Sequence, residues 1–314
     1  MLDRVTVASG STAASYREWS KLIAQIDPKH HRFTRETDLL PSIAGIASLF
    51  SKRWNDDYAA GLWKGSMHQS LCWAVAQAGK PTYKELLKRL KTPSPYIAPS
   101  WSWASRREAF SFKPHHSSLF ADCRPEFHSL DTSITLLGES AFGEVRDASL
   151  DITSKVFVGS PRINIPFRYP GYDLVCLDGQ YFANIEPDCI DQHIFAPYDG
   201  KFAMPISFLL IGSTIRRGTY KTSFPAAYHK SEVLGDVANV GLDSKSSRPS
   251  PVSAESGGDL KTKTVFESVA YGLLILPTGN MNEYYRVGTF FSKPEYAGGL
   301  SLFDNVEVRT VRLV

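Results

Sequence analysis

The sequence predicts an α+β protein, in which an N-terminal helical subdomain precedes an antiparallel β-rich sandwich or barrel. Apolar residues recur at helical spacing before residue 95, and after Pro93 the pattern changes to period two in many short runs. All six tryptophans lie before residue 104, which indicates two differently built halves. The predicted organisation is a ragged N-terminus at 1–14, a helical subdomain at 15–95 and a β-rich domain at 96–314.

Three helical segments have clear boundaries. The first spans residues 15–28, where Pro28 ends it. The second begins after Asp38, the predicted N-cap, and carries Pro41 in its first turn, where a missing N–H costs little. The third is TYKELLKRLK, whose spacing places its leucines inward and its lysines outward.

A fourth helical segment is predicted over residues 56–78. It is apolar over a wide arc, so we expect it to be mostly buried, with Gly61 and Gly65 able to bend or break it. Ser66 and His68 lie two residues apart on this segment and therefore face different directions. We expect both to be polar surface residues rather than a nucleophile and its base.

Eight strands are predicted in the second half. Asp178-Gly179 separates two of them and is a strong signal for a two-residue hairpin, because both positions tolerate positive φ. Residues 241–264 contain Ser, Gly, Pro and charged residues with almost nothing to bury, which predicts a disordered insertion between strands. The predicted strands are Ser133–Leu137, Ser149–Val158, Asp173–Leu177, Gln180–Ile185, Ile206–Ile211, Ala270–Leu276, Tyr285–Phe291 and Val306–Leu313.

Composition excludes several classes of protein. The chain is 43% hydrophobic and 21% charged with a net charge of only +3, so nucleic acid is a poor default partner. The first residues lack the apolar core of a signal peptide, and no run of about 18 apolar residues predicts a membrane span. The four cysteines form no C-x-x-C pair and are expected to be reduced, which favours a cytoplasmic protein.

No complete catalytic or cofactor motif is present. The sequence has no G-x-S-x-G elbow, no phosphate-binding G-x-x-x-x-G-K-[ST] loop and no G-x-G-x-x-G, so we expect no catalytic residues and no cofactor. The best metal-ligand cluster is Cys176, Asp188, Cys189 and His193, whose spacing matches no tight zinc site, so no metal is expected either. Small basic spots occur at Arg106-Arg107, at Arg216-Arg217 and at the lysines of residues 84–91. We expect them to be solvated surface, and a phosphate or an acidic partner is the second interpretation.

The segment IAPSWSWAS, residues 97–105, is expected to join the two halves. Pro99 favours an extended backbone before it, and alternation then places Trp101 and Trp103 on one face as a large hydrophobic anchor. An aromatic platform for a sugar or a base is the alternative use of these rings. The predicted structural anchor comprises Pro99, Trp101 and Trp103 with Gly61, Trp63 and Trp73.

Four ordered blocks of the sequence read RFTRETDLLPSIAGIASLF (Arg32–Phe50), DDYAAGLW (Asp56–Trp63), SLCWAV (Ser70–Val75) and IAPSWSWAS (Ile97–Ser105). In this order they resemble the fungal heterokaryon-incompatibility (HET) protein family, in the region downstream of its HET domain. The resemblance is firm over residues 32–105 and weaker in two later runs, GLLIL (Gly272–Leu276) and YRVGTF (Tyr285–Phe290).

The motifs of the family's N-terminal HET domain do not occur in this sequence. The resemblance therefore implies a truncated or HET-less protein: a non-enzymatic accessory or regulatory region in non-self recognition and cell-death signalling. Its partner is expected to be another protein or the missing HET domain, docked on Trp19, Leu22 and Ile23 of the first helix. A hydrolase with a loop-assembled site and a β-sandwich ligand-binding module are the alternatives.

Overall fold

A computed structural model describes residues 11–26, 33–77, 79–112, 123–159, 163–169, 172–177, 180–190, 206–220, 263–294 and 298–314. The predicted α+β class is confirmed, because short helices occupy the first third of the chain and a large, mostly antiparallel sheet follows. The α-helices are α1 (Ser11–Ala24), α2 (Leu39–Ser42), α3 (Ala44–Trp54), α4 (Met67–Ser70) and α5 (Tyr83–Lys91). Short 3-10 helices span Glu36–Asp38, Lys64–Ser66, Trp103–Ser105 and Leu300–Phe303.

The described residues also form fourteen strands. Four are short pieces within or beside the helical half: β1 (Tyr58–Ala59), β2 (Leu62–Trp63), β3 (Trp73–Val75) and β4 (Phe110–Phe112). The rest are β5 (Cys123–Pro125), β6 (Ser129–Leu136), β7 (Val145–Val158), β8 (Ile163–Tyr169), β9 (Tyr172–Leu177), β10 (Gln180–Pro187), β11 (Ser207–Tyr220), β12 (Lys263–Pro277), β13 (Glu283–Ser292) and β14 (Val308–Leu313). All eight strands predicted from the sequence are present.

The large sheet closes on itself. Its strands follow the order β12-β11-β7-β14-β13-β10-β9-β8, and β12 also pairs with β13, so five strands form a closed ring of pairings. Closure leaves those five strands without a free edge between them. β13 and β14 pair in parallel at two positions, whereas the other registered pairs of this sheet are antiparallel. The hairpin predicted at Asp178-Gly179 joins β9 to β10 with Leu177 opposite Gln180, although the two turn residues lie outside the described residues.

The central strands of the sheet are buried on both faces. Alternate residues of β11 and β12 enter two different hydrophobic clusters, as period-two side-chain alternation requires. The first core contains Leu209 and Leu273, together with the inward side of β7 and most aromatic residues of the helical half. The second core contains Phe208 and Leu274 with Leu86 of α5 and Phe303. The first core is therefore shared by the two halves that the sequence predicts.

The helix predicted over residues 56–78 is wrong. The chain instead forms the hairpin β1–β2, then one short 3-10 turn, α4 and β3. Ala60 and Gly61 both have positive φ, at 47° and 96°, which makes a tight two-residue turn between the paired strands. β3 leaves the helical pattern because it pairs with β4, placing Trp73 opposite Phe112. The expected burial is correct, since Trp63, Met67, Leu71 and Trp73 are all buried.

The hairpin turn holds the IAPSWSWAS segment in place. The carbonyl oxygen of Gly61 accepts hydrogen bonds from the indole N–H of Trp103 at 3.0 Å and of Trp19 at 3.4 Å. The carbonyl of Ala60 accepts from the Ser102 hydroxyl. The alternation predicts an extended segment at residues 97–105, but the structure has a turn followed by the 3-10 helix Trp103–Ser105. The side-chain bonds to the hairpin turn stabilise this more compact backbone. Trp101 and Trp103 are both fully buried.

The remaining local expectations have mixed outcomes. α1 begins at Ser11, so residues 11–14 of the predicted ragged terminus are helical, while residues 1–10 and 241–262 lie outside the described residues. Asp38 occupies the N-cap position of α2, as predicted, but its side chain makes no capping bond there; its carboxylate accepts from the Arg35 N–H at the preceding 3-10 helix. α5 agrees with prediction and starts with a capping box of Thr82 and Glu85. No described helix has the length and apolarity needed to cross a bilayer.

The chain divides into two compact units. One comprises residues 1–216 with 267–314 and contains both cores. The other comprises residues 217–266, of which the structure describes only the strand ends 217–220 and 263–266.

We predict that Gly61→Ala destabilises the protein by more than about 1 kcal/mol, because an L residue is strained at this φ. A Cβ there also lies 2.6 Å from the Trp103 indole nitrogen. The matched control is Gly45→Ala, which adds a Cβ with no neighbour within 4 Å inside α3 and should stabilise slightly. Denaturant unfolding of both variants measures the change in stability. Equal midpoints would contradict the conclusion that the turn requires glycine beside Trp103.

Candidate functional site

A buried charge network joins the two halves of the first unit. Asp188, just after β10, accepts through Oδ2 from Arg286 Nη1 of β13 at 2.7 Å. Arg106, which follows the 3-10 helix Trp103–Ser105, donates to the same oxygen from Nη2 at 3.0 Å and from Nε at 3.2 Å. All three side chains are almost fully buried. Two arginines thus share one oxygen of a single carboxylate.

Arg286 reaches from the barrel into the helical half. Its Nε donates to the Leu71 carbonyl at 3.3 Å, and its Nη2 donates to the Trp73 carbonyl. Its guanidinium carbon lies 3.4 Å from the centre of the Trp73 ring, a close cation–π contact. Burial lowers the pKa of Arg286 to about 10, against the opposing effect of Asp188, so the side chain is charged at neutral pH.

Ser100 completes the connection on the barrel side. Its backbone N–H and its hydroxyl both donate to the Val314 carbonyl, and its hydroxyl oxygen accepts from the Arg286 backbone N–H at 2.9 Å. Ser100 therefore bridges the end of β14 and the middle of β13. Pro99 and Ala98 beside it are also buried, so this short segment packs closely against β13 and the end of β14.

A groove of about 560 Å³ lies over this junction. One wall is α5 with the proline-rich loop that follows it, and the other carries Asp147 of β7 and Tyr285 of β13. Ser100, Ser105 and Arg106 also line it, so the groove borders on the buried network. The volume falls in the range usual for ligand sites in proteins, 300–1,000 Å³ or so.

The wall formed by α5 and residues 105–107 is basic. Arg89 pairs with the buried carboxylate of Glu108 at 2.7 Å, and Arg107 pairs with Glu36 at 2.6 Å, both ends half-exposed. Lys88 is exposed and makes no ion pair within the described part of the chain. An exposed pair contributes little and exchanges easily, so Lys88 and Arg107 are both accessible to an anionic group.

Two sequence interpretations of polar residues are wrong. Arg106 is not a solvated basic residue but is buried against Asp188, whereas the side chains of Arg216 and Arg217 lie outside the described part. Ser66 and His68 are not on the surface either. The Ser66 hydroxyl lies 2.7 Å from that of Ser70, and burial lowers the pKa of His68 to about 4.

The cluster of possible metal ligands named from the sequence, Cys176, Asp188, Cys189 and His193, forms no metal site among the described residues. Asp188 serves the two arginines, and no group of three His, Cys, Asp or Glu side chains in the described part is arranged for a metal. His193 and the side chain of Cys176 lie outside the described residues.

The predicted anchor and docking residues lie mainly in the core. Trp63, Trp73, Trp101 and Trp103 belong to the first core, with the Gly61 turn beside them. Trp19 and Ile23 belong to it too, which leaves them no exposed surface for a partner, while Leu22 is partly buried against it.

The exposed apolar residues of the helical half are instead on α3. Ile46 is 39% exposed and Leu49 is 69% exposed, three residues apart and hence on one side of the helix. Ala47, on the opposite side, is buried in the first core.

No family model, curated protein or solved structure matches this chain. The resemblance given by the four sequence blocks therefore stands on those residues alone. Three of the quoted runs supply the network: SLCWAV contains Leu71 and Trp73, IAPSWSWAS contains Ser100, and YRVGTF contains Arg286.

We predict that Arg286→Met costs about 3–5 kcal/mol of stability, because it leaves a buried carboxylate with one partner and opens the contact with Trp73. Arg312→Met is the matched control, since Arg312 forms an exposed pair with Asp151 at 2.8 Å. The control should unfold at nearly the wild-type denaturant midpoint. Similar midpoints for the two variants would contradict a structural role for the network.

We also predict that stability falls in mild acid because of His68. An unfolded histidine has a pKa near 6.5, so between about 6.5 and 4 the unfolded chain binds more protons than the folded one. The free energy of unfolding is therefore unaffected above that window and decreases by about 3 kcal/mol as pH falls through it. His68→Met should flatten this part of the curve, whereas His128→Gln, at an exposed position, should not.

Proposed function

We propose that this chain is a non-enzymatic accessory or regulatory region of a HET-type heterokaryon-incompatibility protein. It acts in the cytoplasm by docking onto a HET domain supplied by another chain. The observation that carries the proposal is the exposed Ile46–Leu49 side of α3, in the half of the chain that resembles the family most firmly. Two exposed apolar side chains one helical turn apart offer a small apolar contact for a protein partner.

The packing of the resemblance blocks supports a pre-formed docking unit. Residues of all four blocks enter the first core, and those of the last two reach the charge network. Because the helical half shares its core with β7 and the central strands, α3 is presented on a rigid support. Binding to a rigid surface requires little ordering on association.

The alternative functions find less support in the geometry. A sugar-binding platform built from Trp101 and Trp103 requires exposed rings, and both rings are fully buried. Two hydroxyls that line the groove are engaged in structural bonds: Ser100 donates to the Val314 carbonyl and Ser105 to the Ser102 carbonyl. These bonds leave neither serine aligned with a base for hydrolysis.

We predict that Leu49→Asp weakens binding to a separately expressed HET domain from a family member by about tenfold or more, because it places a charge in an apolar contact. Leu137→Asp is the control, since Leu137 is similarly exposed, at 61%, but belongs to a different part of the chain, directly after β6. Isothermal titration calorimetry with both variants measures the effect. Absence of binding by the wild type, or equal affinity of the two variants, would overturn the proposal.

A further inference from the structure

We propose that the groove between α5 and the barrel is a second binding site, which takes an acidic, extended peptide segment of a protein partner. The proposal does not rest on the HET resemblance or on the α3 face. It rests on the shape of the groove, the distribution of charge on its two walls and the rigidity of its lining.

The charge distribution favours carboxylates along one wall. α5 carries four basic residues and one acidic residue, Glu85, which lines one part of the groove and whose carboxylate accepts from the Thr82 N–H in the capping box. Lys88 lines the groove without an ion pair in the described part, and Arg107 holds Glu36 only through an exposed pair. Arg106, which also lines the groove, is buried and paired with Asp188.

The opposite wall favours a peptide over a nucleic acid. Asp147 there is an acceptor that backbone N–H groups of a peptide can satisfy. A phosphodiester backbone offers no donor beside its phosphates, so it cannot satisfy this carboxylate. Tyr96 and Tyr285 add apolar ring surface for the side chains between the carboxylates, as in other peptide-binding grooves.

The groove is also held in one shape before any ligand arrives. Pro93, Pro95 and Pro99 restrict the loop that follows α5 in the same wall, and Ser100 ties that loop to β13 and β14. Arg89 of α5 is fixed by its ion pair with the buried Glu108. A site fixed in this way loses little conformational entropy on binding.

Fluorescence anisotropy with labelled hexaglutamate peptide tests the proposal on the full chain. We expect saturable binding that weakens as salt is raised, and a loss of about tenfold in affinity for Lys88→Glu and for Arg107→Glu. Lys52→Glu, an equal charge change at an exposed position of α3, should bind like the wild type. Circular dichroism and thermal unfolding confirm that each variant is folded.

Three results would overturn the inference. They are an equal loss of affinity for Lys52→Glu, no binding of hexaglutamate, and tighter binding of a labelled oligothymidine strand than of the peptide. Titration with inorganic phosphate separates recognition of a chain of carboxylates from attraction of any anion, since phosphate should compete only weakly. The Leu49→Asp variant should bind hexaglutamate normally, so failure of the α3 proposal and failure of this one are distinguishable.

Discussion

The insertion of Arg286 between Asp188 and Trp73 is the interaction on which the arrangement of the halves depends. A buried guanidinium needs a counter-charge and acceptors, and they come from different parts of the chain: Asp188 beside the barrel, and the Leu71 and Trp73 carbonyls from the helical half. Because these partners are directional, they specify one orientation of the helical half in a way that apolar packing does not. Removing any one of them leaves a buried polar group unsatisfied, which is why such a network acts as a unit.

Burying Arg106, Arg286 and Asp188 carries a desolvation penalty that the network must offset. Two buried arginines sharing one carboxylate are less favourable than a well-packed apolar cluster, and Asp188 Oδ1 has no hydrogen-bond partner among the described residues. Trp73 adds cation–π contacts to these hydrogen bonds, since the centre of its ring lies 3.4 Å from the Arg286 guanidinium carbon and 5.6 Å from that of Arg106. Arg106 also lines the groove, so the buried network and the proposed peptide site share this residue.

The two proposed surfaces follow from different physical properties of one rigid unit. α3 offers an apolar pair on a helix whose other side is locked into the first core. The groove offers charge and a proline-restricted wall where α5 meets the barrel. If both proposals hold, an acidic segment of one partner would lie on the same rigid unit as a second partner docked on α3.

The sequence by itself determined the fold class, the eight predicted strands and α5, because each of these depends on a periodicity that is complete within a short window. It also indicated that residues 56–78 are buried, but not their conformation, since an apolar segment without polar alternation has no period that separates helix from strand. Only tertiary structure decided that Trp73 pairs with Phe112, because β4 lies 35 or more residues away and its hydrogen bonds override local preference. The sequence also did not predict the burial of Arg106. Its partner Asp188 is 82 positions away, and two adjacent arginines without a nearby acidic residue are normally expected at the surface.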